Sequence, residues 1–202
     1  MIKLAVVMIN AGVEFWNEYT ERAVHSLSVH SETPYELIVV DNGGKGRGQV
    51  NIDVMVPYAE AVNRGVQAIS SDASRILILN NDIIANGKWQ THLCSHQLCG
   101  PVILRKEGID YIEGWAISID RDLWHMLGGF NEIYKNSWED VDLSWRASRL
   151  GIYPKRIDLP LYHVWGATRN KIPGSNQWDF DNRKYLLDRI AASKDRRWKP
   201  KG

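Results

Sequence analysis

Arg75-Ile76-Leu77-Ile78-Leu79-Asn80-Asn81-Asp82 is the stretch whose reading decides the fold. Four consecutive branched apolar side chains read as a strand buried on both faces, the kind found inside a parallel sheet. The run stops abruptly at two amides and a carboxylate. In an open α/β sheet, ligands bind in the crevice beyond the carboxyl ends of the strands, so Asn80, Asn81 and Asp82 stand where a ligand would sit. Asp82 brings the single charge there and is the candidate to hold a divalent metal. Asn and Asp are also common turn formers, and a polar turn after a core strand accounts for the same residues.

Working outward, the pattern recurs upstream. Residues 4–9 form a second apolar run, and residues 35–40 a third that ends in Asp41-Asn42-Gly43-Gly44, again with a carboxylate at the strand's carboxyl end. Between them, residues 14–29 suit a helix with acids near its start, closed before Pro34. Residues 45–51 are rich in Gly and charge and read as a loop, and residues 53–56 as a short edge strand stopped by Pro57. Residues 58–70 carry Ala59, Val62, Val66 and Ile69 at helical spacing. Strand–helix alternation of this kind predicts an α/β fold with a right-handed parallel βαβ array. If the first, second and fourth strands are neighbours, Asp41 and Asn80-Asn81-Asp82 share one rim.

Downstream of Asp82 the pattern changes. Residues 89–98 read as helix, 102–104 and 111–119 as strands, and 120–127 as a short helix closed by Gly128-Gly129. Residues 137–150 read as a helix capped by Ser137, with Asp140 three residues on and Gly151 at its end. Residues 152–164 are extended around Pro154 and Pro160, 181–192 form an amphipathic terminal helix, and 194–202 a basic, frayed tail.

The 202 residues suffice for one domain with a sizeable core, and 44% hydrophobic with 24% charged residues is ordinary for a globular chain. A net charge of +1 gives no general reason to expect nucleic acid or acidic membranes as partners. The charge is uneven, however: residues 169–202 hold ten Lys/Arg against four Asp/Glu, a net of +6, which leaves −5 for the first 168. That sets a main domain, 1–168, apart from a basic helical extension, 169–202, which suits a solvated helix face packed on the domain, or else peripheral contact with an anionic acceptor, a membrane or nucleic acid. Nine Trp offer flat aromatic faces of the kind sugar sites use, although large aromatics also fill cores. No apolar run approaches the roughly 20 residues that span a bilayer, and the N-terminal run reads as a first core strand rather than a signal peptide. Cys94 and Cys99 make no disulfide framework. Reduced thiols and no leader imply a cytoplasmic protein, and so short a chain suits a bacterial or virus-infected cell.

Several short motifs now fall into one order: 35–42, Asn63-Arg64-Gly65, 79–82, Gly128-Gly129-Phe130-Asn131-Glu132, and Trp138-Glu139-Asp140-Val141-Asp142-Leu143 followed by Arg146 and Gly151. In order and spacing, from Leu4 to about Gly166, the chain resembles family 2 glycosyltransferases of GT-A fold. The resemblance implies one GT-A domain with a mostly parallel central sheet flanked by helices, a nucleotide-binding half to about residue 84 and an acceptor half from about 85 to 168. It implies an inverting enzyme that moves a sugar from a nucleoside-diphosphate donor, usually a UDP-sugar, to a hydroxyl acceptor such as a glycan, with Mn2+ or Mg2+ as cofactor. Asp140 would be the catalytic base with Glu139 beside it. Asp41 would contact the nucleobase, with Ile9, Asn10, Asn63, Asn80 and Asn81 lining the donor nucleotide. Asp82 closes the place of the Asp-X-Asp motif and would bind the metal, with His163 of Tyr162-His163-Val164-Trp165-Gly166 as second ligand. Gly114, Trp115 and Trp138 fall on the acceptor side, the two indoles as sugar platforms or as core.

The sequence also departs from that pattern. Amides fill the first two metal-motif positions, Asn10-Ala11-Gly12 only partly matches the usual first loop, and the stretch from Asp82 to Trp115 is short. A metal held by Asp82 alone would be loose until donor phosphate and His163 complete its shell. Chemistry supports the assignment independently: a positioned carboxylate removing the hydroxyl proton contributes typically about 10²–10⁴-fold, and a divalent ion offsets the diphosphate's developing charge. The rival readings are each local. Glu139, Asp140 and Asp142 also suit a helix start, where acids complement the macrodipole. His92-X-Cys94-X-His96-X-X-Cys99 superficially has zinc spacing, but Cys94 would leave the face shared by His92, His96 and Cys99. A sugar nucleotidyltransferase would carry a Gly-rich basic loop after the first strand, which Asn10-Ala11-Gly12-Val13-Glu14 is not. A non-catalytic sugar- or nucleotide-binding module fits the amide-substituted motif as well.

Overall fold

The computed structural model describes residues 3–93, 95–164 and 175–193. Arg75–Asn80 (β4) lies in the middle of a seven-stranded sheet, where Ile76, Leu77, Ile78 and Leu79 are all fully buried. Strand side chains alternate in direction. Ile76 and Ile78 therefore enter one core layer, while Leu77 and Leu79 enter the layer on the opposite face. Leu4–Ala11 (β1) divides its side chains in the same way and pairs in parallel with both β4 and Glu36–Asn42 (β2). In this register Ile9 stands beside Asn80 and Asn10 beside Asp41, so the three carboxyl ends share one rim.

The rest of the sheet shows where sequence alone misreads. Its edge strand is Val50–Ile52 (β3), not 53–56, because the Asn42 amide captures both polar groups of the Val56 backbone and draws that segment off the ladder. Ala116–Asp120 (β9) runs antiparallel to β4 and to Leu98–Gly100 (β6), so the sheet is mixed, in the order β10-β6-β9-β4-β1-β2-β3, with Lys155–Arg156 as β10. The expected helix over 89–98 is only a short 3-10 turn, Gln90–His92. Trp89 is fully buried with its indole N–H on the Leu27 carbonyl, and the Gln90 amide accepts from the Glu32 and Thr33 N–H groups, which pins this segment to the preceding layer. The long strand expected over 111–119 is interrupted: Ile103–Lys106 (β7) and Ile109–Ile112 (β8) form a separate hairpin before β9 begins. Ile83–Ala85 (β5) pairs antiparallel with Leu161–His163 (β11).

Glu21–Val29 (α1), preceded by a wide turn over Trp16–Thr20, covers one face of the sheet. Tyr58–Gln67 (α2), Arg121–Leu127 (α3) and Glu139–Ser148 (α4) cover the other. Gly65 lets α2 sit on the sheet; a Cβ there would lie 2.6 Å from a Val7 methyl and 2.7 Å from a Val40 methyl. The helix α4 starts at Glu139 rather than Ser137: Trp138 occupies its cap position at φ 73°, and the Ser137 hydroxyl accepts instead from Asn182. Ser175–Ser193 (α5) begins earlier than the expected 181–192 and sets Leu186 into a third core cluster with Tyr134, Trp138 and Trp145. The basic tail, and Trp165 and Gly166 of the last motif, lie outside the described residues.

Candidate active site

The rim built by β1, β2 and β4 carries a buried polar network. The Asn10 amide donates to an Asp41 oxygen at 2.8 Å and to the Gly12 carbonyl at 2.8 Å, while its own oxygen accepts from Thr20 at 2.8 Å and from Asn81 at 3.2 Å. Asn81 also donates to the Thr20 hydroxyl at 3.0 Å. Asp41, 1% exposed, spends its second oxygen on the Arg47 N–H at 3.0 Å, beneath the loop that follows β2. The expected donor-side residues thus come together, but Asn81 faces into the protein, and Ile9 is a core residue. Asn80 stays at the rim with its N–H on the Trp115 carbonyl. Asn63 serves a different contact: its amide binds both polar groups of the Phe130 backbone and the Glu132 carboxylate, tying α2 to the 128–132 loop.

Asp82 and His163 meet. Antiparallel pairing sets His163 opposite Ile83, and the Val164 N–H donates to the Asp82 carbonyl at 2.8 Å, which locks this geometry. The Asp82 Oδ1 and the His163 Nε2 lie 3.2 Å apart, and both are buried without a hydrogen-bond partner. A buried polar atom left unpaired costs free energy, so such atoms are few in native structures and mark strain, a catalytic role or a bound water or ion. A carboxylate oxygen and an imidazole nitrogen turned toward each other could hold a divalent cation, and this mixed oxygen–nitrogen pair suits Mn2+ better than Mg2+, which favours oxygen ligands. Among the described residues, no group of three or more His, Cys, Asp or Glu gathers as a complete protein shell. That extends to the His92-to-Cys99 spacing, of which Cys94 lies outside the described residues.

Trp115 stacks on the His163 ring at 4.7 Å and 8° between planes, with its indole N–H on Glu113. Its neighbour Gly114 reaches the base candidate. The Gly114 N–H donates to Asp140 Oδ2 at 3.0 Å, and the Val141 N–H donates to Asp140 Oδ1 at 2.8 Å. Consecutive residues therefore join the metal-type pair to the carboxylate at the start of α4. Burial pushes Asp140 up to about 6, against the pull of those two N–H donors and of the Lys106 ammonium. Such a carboxyl group ionises near neutrality, as a general base requires. Glu139, 7% exposed, lies alongside. Trp138 differs from a sugar platform: it is 4% exposed, packed in the third cluster, with its indole N–H on Asp179 and the Lys106 ammonium 4.7 Å over its ring.

Two site residues escaped the sequence reading. Tyr58, at the start of α2, donates its hydroxyl to the Gly114 carbonyl at 3.1 Å. Burial and the negative charges of Glu139, Asp140 and Asp82 raise its phenol well above the ordinary value, which places three acids around one hydroxyl. Its signal was positional, a phenol directly after Pro57 at the sheet's carboxyl edge. Lys106 sits just before the Glu107-Gly108 turn of the β7–β8 hairpin and brings a cation to Asp140. Behind the site, Asp142 is fully buried and accepts from Arg146, Tyr134 and Arg189, while Arg146 also donates to the Leu127 and Gly129 carbonyls. The second half of the acidic motif therefore fixes α4 against the end of α3.

No protein-family model matches the chain, and no curated protein matches it in sequence. Solved structures do. Mannosyltransferase PcManGT from Pyrobaculum calidifontis, solved with GDP-Man and Mn2+, superposes at a TM-score of 0.63 with 13% identity over 98% of this chain and 66% of its own. GalNAc-T7, solved with UDP, GalNAc and Mn2+, gives 0.62 with 13% identity over 82% of this chain and 45% of its own. The catalytic domain of Drosophila beta1,4galactosyltransferase 7, in complex with xylobiose, gives 0.58 with 15% identity, covering 88% and 79%. The chain thus spans about two thirds and less than half of the first two. At these identities the likeness establishes the fold: a GT-A fold, with a mostly parallel central sheet flanked by helices.

Proposed function

From a GT-A fold whose crevice holds these side chains, we propose that the chain is an inverting glycosyltransferase, moving a sugar from a nucleoside-diphosphate donor, UDP favoured, to a hydroxyl of a glycan or other acceptor. One observation carries the reading: a carboxyl group raised to about 6 is joined through Gly114-Trp115 to a buried Asp82–His163 pair with both facing atoms unbonded. The solved neighbours include proteins bound to GDP-Man and to UDP with Mn2+, which supports nucleotide-sugar chemistry in this fold.

In this reading Asp140 acts as base. As the acceptor oxygen bonds to the anomeric carbon of the donor, its proton passes to the Asp140 carboxylate, and the bond from that carbon to the diphosphate oxygen breaks, with the electron pair leaving on the diphosphate. Attack from the face opposite the leaving group inverts the configuration, and no carboxylate nucleophile is needed. The Gly114 and Val141 N–H groups aim the carboxylate, and the Val141 N–H and the Lys106 ammonium oppose burial so that it is mostly ionised at neutral pH. Asp82 Oδ1 and His163 Nε2 would hold a divalent cation, which when bound offsets charge on the diphosphate. Asp41 would contact the nucleobase, with Asn10 and Asn80 beside it and Trp115 on the acceptor side. Asn81 and Asn63 support that pocket from behind.

The test is release of nucleoside diphosphate when the protein is incubated with a panel of UDP-, GDP- and TDP-sugars and manganese. Release from one donor, increased by a matching acceptor, is the expected result. Saturable donor binding with no release from any of them would instead make the chain a nucleotide-sugar-binding module.

A further inference from the structure

Both hydrogen bonds of Tyr58 to other segments end on the two sides of Asp140. Its backbone N–H donates to the Asn136 side-chain oxygen at 2.8 Å, in the loop that leads into α4, and its hydroxyl donates to the Gly114 carbonyl at 3.1 Å. Gly114 is consequently held at both ends, by Tyr58 at its carbonyl and by Asp140 at its N–H. It interrupts the strand expected over 111–119 just where these two bonds are made. A side chain is not accommodated without cost either: a Cβ on Gly114 would stand 3.3 Å from Asp140 Oδ2. The phenol ring is itself steadied by Phe130 at 6.2 Å, so the hydroxyl belongs to a packed element rather than to a free rotor.

We infer that Tyr58 is a positioning residue for the base, holding Gly114 so that its N–H keeps the Asp140 carboxylate aimed into the crevice. This rests on the proposed role of Asp140. Tyr58 works through Gly114 and does not take the acceptor proton. The groups that act on Asp140 are Lys106 from the β7–β8 hairpin, the Gly114 and Val141 N–H donors and the Tyr58 phenol from α2, a phenol that Glu139 and Asp82 also face. Of these, the Gly114 donor is the one Tyr58 controls.

The experiment compares wild type, Tyr58→Phe and Gly114→Ala, each first checked by thermal melting. Two readouts need no ligand: exchange of the Gly114 amide proton, and NMR titration of the Asp140 carboxyl carbon. In Tyr58→Phe the Gly114 amide should exchange about tenfold faster, as expected for weakening one buried hydrogen bond. The Asp140 titration should move upward, because a donor to the charged form is loosened. Turnover of whichever panel donor shows release should fall about tenfold in kcat with its KM within about twofold, the signature of an interaction that acts on the reacting state. Gly114→Ala should lower kcat by crowding the same carboxylate even if Tyr58→Phe were to melt early. Unchanged Gly114 exchange and unchanged Asp140 titration in a folded Tyr58→Phe protein would overturn the inference. Full turnover in Asp140→Asn would overturn the base assignment instead, and the two ligand-free readouts keep these failures apart.

Discussion

Asp140 should make the folded protein progressively less stable as pH rises through its own titration. Its folded value of about 6 lies above the ordinary 3.8, and burial is the largest cause. The folded chain therefore holds this proton in a window where the unfolded chain has released it. The stabilisation is complete below pH of about 4 and gone above about 6, and the full difference corresponds to about 3 kcal/mol. Asparagine carries no charge at any pH and has no such slope. Between about pH 4.5 and about pH 7.5, the stability of Asp140→Asn relative to wild type should rise by about 2 kcal/mol. Hydrogen bonds altered by the amide shift the whole comparison but not its slope. Urea unfolding of both proteins at five pH values measures it. A difference flat in pH, or one moving against the variant, would refute the reasoning, since it would mean that Asp140 ionises in the fold as it does in water.

Three other perturbations follow from the same geometry. Asp82→Ala should remove the manganese dependence of UDP binding measured by calorimetry; equal wild-type affinity with and without chelator would count against the Asp82–His163 assignment. Gly65→Ala drives a methyl to 2.6 Å from Val7 and 2.7 Å from Val40, and such overpacking should cost about 1–3 kcal/mol, read as a lower Tm. Arg146→Met leaves the fully buried Asp142 with the exposed-side Arg189 as its remaining cation, and should destabilise by about 3–5 kcal/mol; a melting point within about a degree of wild type would show that Arg189 suffices.

The central strands were legible because β1 and β4 are apolar on both faces, a property that lies in the side chains themselves. The direction of β9 was not, since nothing in a strand's composition states which way it runs. Residues 89–98 keep helical spacing yet are claimed by distant partners: the Trp89 indole by Leu27, the Gln90 amide by Glu32 and Thr33. Ser137 looked like a helix cap, and Asn182 of a helix some 45 residues away takes its hydroxyl. At the site, sequence placed Asp82 and Asp140 on the right elements. The resemblance names His163 as the partner of Asp82, and the β5–β11 register supplies the physical means, setting the two side by side. Asn81 pointed inward and Trp138 packed away for the same kind of reason, partners remote in the chain. Tyr58 read as an ordinary helix residue, and Gly114, which the resemblance puts on the acceptor side, gave no sign of its bonds to Tyr58 and Asp140 until the break in 111–119 brought the three together.

Asp140→Asn, assayed for nucleoside diphosphate release and for donor affinity in the same preparation, tests the proposed chemistry most directly. Loss of release by about 10²-fold or more with donor Kd within about twofold is the expected result, because the amide cannot take a proton, while the one N–H contact it must give up, to Gly114 or Val141, lies away from the donor pocket. Release at the wild-type rate would contradict it.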